Sequence, residues 1–182
     1  MAARRLARLG GWATVATAAL LAGCAPKRPP PPPPPVPVTP APAPAVALDP
    51  ESYMAFTASS ALFAVRASDF AQARGSTTKL RKFATTVVNE QTGIGAQLNF
   101  AGRRIDLLPS SRLLPLHQVM LDRLAAATDF DATYKAQLAR VLTDAARAHR
   151  AFESGGESPT LRPVARFAAP VCEKELETLR KL

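Results

Sequence analysis

A run of prolines divides this sequence into parts with different structural possibilities. Of its 18 prolines, 13 lie between Pro26 and Pro50, and seven of these are consecutive. Because proline fixes φ and has no backbone N–H to donate, residues 25–45 are predicted to form a disordered, extended linker. At about 3.1 Å per residue, the linker can reach roughly 60 Å. Residues 49–182 remain for a folded domain, and they are enough to bury a core without disulfides or metals.

The N-terminal part is predicted to be a lipoprotein signal peptide. Residues 1–9 are basic, and residues 10–23 are apolar and uncharged. The apolar run is shorter than the roughly 20 residues of a membrane-spanning helix, and it is typical of a signal-peptide core. It ends in the tetrapeptide LAGC at residues 21–24, which resembles the bacterial lipobox. The resemblance implies cleavage between Gly23 and Cys24 and acylation of Cys24.

The predicted anchor assigns the chain to the bacterial cell envelope, outside the cytoplasm. Two or three acyl chains hold a protein stably on a bilayer, whereas one binds marginally. Ala25 follows Cys24 in place of aspartate, which favours the outer membrane over the inner one. Residues 24–48 then act as a spacer between the membrane and the domain at 49–182. The alternatives are a secretory signal with a chance cysteine and an uncleaved anchor.

The positive charge does not indicate a nucleic-acid partner. Formal net charge is +9, and three of these charges belong to Arg4, Arg5 and Arg8. The other basic residues alternate with acids and alanines, without a basic block or an aromatic stacking motif. A basic protein near anionic lipid is the expected class.

The domain is predicted to be all-α, an up-down bundle of four to five helices. Apolar residues recur at spacings of three and four over most of its length. In the second helix this seam includes Gln91, and in the third it includes Leu116, Met120 and Leu124. The first predicted helix runs from Asp49 to about 73, and the second from a cap at Ser76 or Thr77 to 101. The third covers 113 to 127, and the fourth runs from a cap at Thr128 or Asp129 to 152. The last begins at Ser158 and is expected to kink at Pro170.

Three stretches of the domain resemble a known family. They are residues 80–98, 116–134 and 158–176, and the middle one carries a Leu-x-x-x-x-x-Phe-Asp-x-x-Tyr pattern. They are similar to the bacterial domain of unknown function 4142, a family of secreted proteins or lipoproteins. The resemblance implies a ferritin-like helical bundle.

The chain departs from the family pattern at several polar positions. Members usually carry Asp-His where this chain has Glu90 and Gln91, and histidines near the positions of Leu142 and Glu175. An acidic residue common in the first helix is replaced near Ala64. If those positions form a polar or metal-binding cluster in the family, the resemblance implies that this chain has lost most of it.

A metal centre is not predicted, and neither is any other cofactor. A ferritin-type di-iron site needs Glu-x-x-His pairs, but residues 114 and 146, three positions before His117 and His149, are not glutamate. The weak candidates for metal ligands are Glu90, Glu175 and His149. A lone helical histidine such as His149 is more often a residue at the edge of the core.

Two interpretations remain for the polar residues of the second and last helices. Glu90, Gln91 and Glu175 can meet in the core as a hydrogen-bonded remnant of the family cluster. Alternatively, the two glutamates rotate to the surface, which is favoured because unpaired buried carboxylates are rare. Cys172 is expected to be a small buried apolar residue and not a catalytic thiol.

The sequence contains no phosphate-binding loop, nucleophile elbow or catalytic triad spacing. We therefore expect a non-enzymatic envelope lipoprotein whose bundle binds an envelope protein, a lipid or a cell-wall component. The alternative is a ferritin-like metal-binding or stress-related domain with a degenerate site. The oligomeric state is left open.

Overall fold

The computed structural model describes residues 49–182, which form helices and contain no strand. The predicted signal peptide, Cys24 and the linker lie outside these described residues. The all-α prediction is confirmed for the domain. Its elements are α1 Pro50–Arg74, α2 Thr78–Arg103, α3 Pro115–Ala125, α4 Phe130–Gly155 and α5 Arg162–Leu179.

Three helices begin at side chains that the sequence marks as N-caps. Asp49 accepts a hydrogen bond of 2.8 Å from the backbone N–H three residues later. Thr77, and not Ser76, does the same for α2 at 3.1 Å. Asp129 is the corresponding residue for α4, also at 3.1 Å. Each side chain satisfies one of the backbone donors that a helix leaves unpaired in its first turn.

The four long helices form a ring in the order α1, α2, α5, α4, and each packs against its two neighbours. Tyr53 pairs with His149 and Ser68 pairs with Tyr134, so α1 and α4 run antiparallel. The loop between α1 and α2 is short, which makes these two helices antiparallel as well. Because α2 and α4 both oppose α1, they point in the same direction.

The chain therefore needs one crossover between α2 and α4, and α3 provides it along the side of α1. Near the start of α3, the N–H of Leu114 donates to Ser59 Oγ at 2.8 Å. Near its end, the Arg74 guanidinium donates to the carbonyl oxygens of Ala125 and Ala127. A single crossover is the connectivity of ferritin-like bundles.

The apolar seams of α2 and α4 match the sequence prediction, whereas α3 differs from it at one position and α5 begins later than predicted. Leu116, predicted to face inward, is half exposed, and His117 and Leu121 pack inward beside Met120. The reason is that Ser59 on α1 forms a hydrogen bond with His117, so α3 turns the face with His117 inward and Leu116, one position earlier, outward. The last helix begins at Arg162 and continues through Pro170, whose exposed position leaves the missing backbone donor on the solvent side.

Two glycines allow the packing to be tested with matched substitutions. A Cβ at Gly102 would lie 2.1 Å from the carbonyl oxygen of Leu107, whereas a Cβ at Gly93 would have no neighbour within 4 Å. We expect Gly102→Ala to destabilise the fold by about 1–3 kcal/mol, because backbone would have to move. Gly93→Ala should stabilise it by about 0.5–1 kcal/mol through helix propensity. Urea denaturation of both variants measures this, and equal effects would contradict the described packing.

Candidate binding site

Three pairs of buried polar side chains tie α1 to α3 and α4. Their hydrogen bonds join Tyr53 to His149 at 2.9 Å, Ser59 to His117 at 2.7 Å and Ser68 to Tyr134 at 2.9 Å. Each hydrogen bond gives both side chains the polar partner that they need when they are buried away from water. They account for most of the large polar side chains in the core.

His149 is fully enclosed and does not lie at the edge of the core, as the sequence suggested. Its exposed fraction is 1 %. Burial lowers its pKa to about 4, so the imidazole is neutral at physiological pH. The expectation was wrong because Tyr53, on another helix, supplies the hydrogen bond that makes a neutral buried histidine acceptable.

A fourth buried polar group joins α2 to α5. Gln91 Nε2 donates to Glu175 Oε2 at 2.6 Å, and it lies 3.7 Å from Cys172 Sγ. The exposed fractions of Gln91 and Glu175 are 3 % and 2 %. The favoured expectation that Glu175 rotates to the surface is therefore wrong, and the pair meets in the core. Cys172 is buried, as predicted.

Glu90 lies at the border of this cluster and not within it. Its side chain is partly exposed, and Lys174 Nζ donates to its Oε1 at 3.4 Å. This ion pair links α2 to α5 on the outer side of the buried Gln91–Glu175 contact. Because Lys174 is largely exposed, the ion pair contributes little to stability.

The environment of Glu175 favours its protonated form. Burial raises its pKa to about 8, the hydrogen bond from Gln91 opposes that rise, and the nearby Glu90 carboxylate adds to it. Glu175 Oε1 is buried without a hydrogen-bond partner. At neutral pH the side chain is therefore a carboxylic acid, and a hydrogen bond to the side chain of Glu90 adds to the rise in its pKa.

A groove of about 330 Å³ opens beside this carboxyl group, between α2 and α5. Lys79, Lys82 and Lys174 lie along it, and their side chains are exposed. The remaining lining residues belong to the same two helices and the chain after α5: Phe83, Thr86, Glu90, Glu175, Thr178 and Leu182. We call this the α2–α5 groove.

The three weak metal-ligand candidates do not form a metal site. Within residues 49–182, no group of three or more His, Cys, Asp or Glu side chains is placed to hold a metal ion. Glu90 and Glu175 lie near each other, but His149 is bound to Tyr53 between α1 and α4. Lys174 also forms an ion pair with Glu90. The donor set does not fit a ferritin-type centre.

A comparison with protein families gives the relationship of the whole domain. The model for a family described as "Domain of unknown function (DUF4142)" matches residues 36–182. The chain belongs to this family. A search of curated proteins and a search of solved structures each found no match. Among the helices of residues 49–182 in this DUF4142 member, none has the length and hydrophobicity that a membrane span requires.

Of the five positions that the resemblance marks as departures from the family pattern, four lie in the core and Glu90 lies at its border. Ala64, Gln91, Leu142 and Glu175 are buried, one on each long helix. Two of the four are apolar, and the polar pair that remains in the core is Gln91 and Glu175.

The α2–α5 groove was not predicted from the sequence. The available signal was the spacing of Lys79, Lys82 and Thr86 on α2, and of Lys174 and Thr178 on α5. Residues three and four apart share a helix face, so each set forms a polar stripe. Only the packing of α2 beside α5 brings the two stripes together around Glu175.

Proposed function

We propose that this protein is a non-enzymatic lipoprotein of the bacterial envelope whose helical bundle binds another component there. The observation that carries the binding role is the α2–α5 groove, where three exposed lysines line a concave surface together with the largely buried residues Phe83 and Glu175. Such an arrangement suits holding a ligand, because a few polar groups converge on one concave surface. The tetrapeptide LAGC at residues 21–24 and the proline-rich spacer support the membrane-anchored location.

The environment of the buried thiol of Cys172 supports a role without catalysis. A catalytic thiol needs a lowered pKa and an adjacent base. Burial instead raises the pKa of Cys172 to about 12, and its neighbour is the amide of Gln91. His149, a possible base, is bound to Tyr53 between two other helices.

Replacing Cys24 with serine is expected to abolish labelling of the protein by a palmitate analogue and to release it from membranes. The reason is that the hydroxyl cannot form the thioether that carries the acyl chains. Cys172→Ser is the matched control, since it removes the other cysteine and should leave labelling intact. Membrane retention of Cys24→Ser without labelling would contradict the anchor. Density-gradient separation of the two membranes tests the outer-membrane assignment.

The binding role is tested by site-specific photo-crosslinking in cells. A crosslinking residue placed at position 82 in the α2–α5 groove should capture an envelope component. The same residue at position 135 on α4, which does not pack against α2, should not. Absence of any adduct at both positions would contradict the binding role. Stoichiometric iron, zinc or manganese that survives dialysis would favour the ferritin-like alternative instead.

A further inference from the structure

Two phenylalanine side chains lie on the surface of the bundle, although this residue type is usually buried. The exposed fractions of Phe100 on α2 and Phe167 on α5 are 66 % and 49 %. A single exposed apolar residue needs no explanation, whereas apolar residues that share one surface mark a contact with a partner or a membrane. The relative position of the two rings therefore decides whether they form such a surface.

The two phenylalanines lie at the same height on neighbouring antiparallel helices. A short loop joins α5 to α4, so α5 runs opposite to α4 and therefore also opposite to α2. The hydrogen bond between Gln91 and Glu175 fixes the register of α2 against α5. Phe100 follows Gln91 by nine residues, and Phe167 precedes Glu175 by eight. At 1.5 Å per residue, both are about 12–14 Å from this hydrogen bond, in the same direction.

Both phenylalanines also lie on the side of the bundle at which the α2–α5 groove opens. Phe100 lies 18 residues after Lys82, which is about five helical turns. Phe167 lies seven residues before Lys174, which is close to two turns. Because the two lysines line the groove, the phenylalanines continue the same surface along the bundle. We call the groove together with Phe100 and Phe167 the α2–α5 face.

Basic residues lie at both ends of the α2–α5 face. The three lysines of the groove are at one end. At the other end, Arg104 follows Phe100 by about one turn, and its side chain is exposed. Glu90 is the partly exposed carboxylate that lines the groove, and its charge is paired with Lys174. The face therefore combines exposed aromatic rings with an excess of positive charge, which attracts an anionic surface.

This combination favours an anionic bilayer over a second copy of the chain. Aromatic rings enter the boundary between headgroups and acyl chains, and lysine and arginine are attracted to anionic headgroups. In a dimer formed through the same face, either orientation would oppose basic residues of the two copies, because both ends are basic. Like charges across an interface weaken association.

The neighbouring end of the bundle is unsuited to a contact with an anionic bilayer. Asp49, Glu51, Asp106 and Glu157 line a cavity of about 660 Å³ at that end. An anionic surface repels such a group of carboxylates. The side of the bundle that carries the phenylalanines is therefore the favoured contact.

We propose that the α2–α5 face lies on an anionic bilayer, with Phe100 and Phe167 inserted at the level of the headgroups. This inference rests on the proposed envelope location and binding role, and it specifies a lipid surface as the component that is bound. The helices α2 and α5 then run along the membrane plane, and the lysines and Arg104 contact lipid phosphates on either side of the aromatic pair.

The point at which the chain enters the domain allows this contact. Asp49 lies at the end of the bundle where α2 ends, since it shares a cavity with Ile105 and Leu107. The predicted linker reaches roughly 60 Å, which lets the face lie on the bilayer that holds Cys24. Tethering makes the contact intramolecular, so two aromatic rings and a few charges are sufficient for it.

Insertion is tested in the full chain by tryptophan fluorescence in vesicles of brominated phosphatidylglycerol, because bromine atoms quench a tryptophan that contacts them. Trp12 is the sole tryptophan of the sequence, and the wild-type chain gives its background. The tryptophan of Phe100→Trp should be quenched at least about twofold more than that of Leu116→Trp. Leu116 is the matched control, since it is 50 % exposed on α3, which does not pack against α2 or α5.

The electrostatic part of the contact is tested in the Phe100→Trp chain. Adding Lys82→Gln and Arg104→Gln should reduce the quenching by about half or more, because each basic residue near an anionic surface strengthens the contact. Adding Arg123→Gln and Arg140→Gln, two exposed arginines on α3 and α4, should leave the quenching unchanged. Brominated phosphatidylcholine, which has no net charge, should quench less than brominated phosphatidylglycerol.

Several outcomes would overturn this inference. They are equal quenching at positions 100 and 116, equal quenching by the two lipids, and an equal fall in the two charge variants. A dimer crosslinked through position 82 without quenching would assign the face to a second copy and also overturn it. A crosslink from position 82 to another protein without quenching would overturn the lipid surface and leave the binding role standing. Absence of both crosslinks and quenching would overturn the two together.

Discussion

Replacing Glu175 with glutamine is expected to abolish a loss of stability that the wild-type chain shows as the pH rises from 6.5 to 8. Burial raises the pKa of Glu175 to about 8 from its ordinary 4.5. Between these values the unfolded chain has lost the proton and the folded chain keeps it. The contribution of protonated Glu175 to the stability of the fold is therefore fully present below pH 4.5 and is lost as the pH rises to 8.

Protonation of His149 changes the stability of the fold in the opposite direction below pH 6.5. Burial lowers its pKa to about 4 from 6.5, so stability is lost as the pH falls below 6.5. The lowered pKa of His117, also caused by burial, has the same sign. Below pH 6.5 the histidines therefore offset the effect of Glu175, and from pH 6.5 to 8 Glu175 acts without this opposition.

Between pH 6.5 and pH 8 the free energy of unfolding is expected to fall by about 2 kcal/mol, at about 1.4 kcal/mol per pH unit. Urea denaturation at pH 6.5 and pH 8 measures it in the full chain. Glu175→Gln keeps the shape and the contact with Gln91, and its stability should be nearly equal at the two pH values. Glu177→Gln, an exposed glutamate on the same helix, should retain the wild-type loss. If Glu175→Gln retained that loss, another group would have to be responsible.

Truncating Phe152 to alanine is expected to have the largest effect on stability, about 3–5 kcal/mol. Phe152 is completely buried, and its ring stacks on that of Tyr53 with centroids 3.8 Å apart. Removing the ring leaves a cavity where α1 packs on α4 and also loosens the Tyr53–His149 hydrogen bond. A domain of this size has about 5–15 kcal/mol of stability in total, so the variant should unfold at a markedly lower temperature.

The matched control for this truncation is Phe167→Ala on α5. Phe167 is 49 % exposed, and a change at such a site usually alters stability by less than about 0.5 kcal/mol. Thermal unfolding followed by far-UV circular dichroism compares the two variants. Equal shifts in melting temperature would contradict the placement of Phe152 in the core.

Much of the fold was predictable because its signals are local. The caps at Asp49, Thr77 and Asp129 act within one helical turn, so residue types and spacing are enough to place the helix starts. The seams of α2 and α4 were predictable for a related reason, since each helix buries one broad face. The third helix was harder: its short length leaves few positions to define a face, and Leu116 was assigned inward.

The candidate site was predictable only in part, because its members act across the bundle. The sequence by itself singled out Gln91, Glu175 and Cys172 and determined that each could lie on a buried face. Only the tertiary structure decided that Gln91 and Glu175, 84 positions apart, form a hydrogen bond. A carboxyl group remains in a core when a partner on another helix compensates for part of the lost hydration. That compensation depends on which helices are neighbours, and no local pattern specifies it.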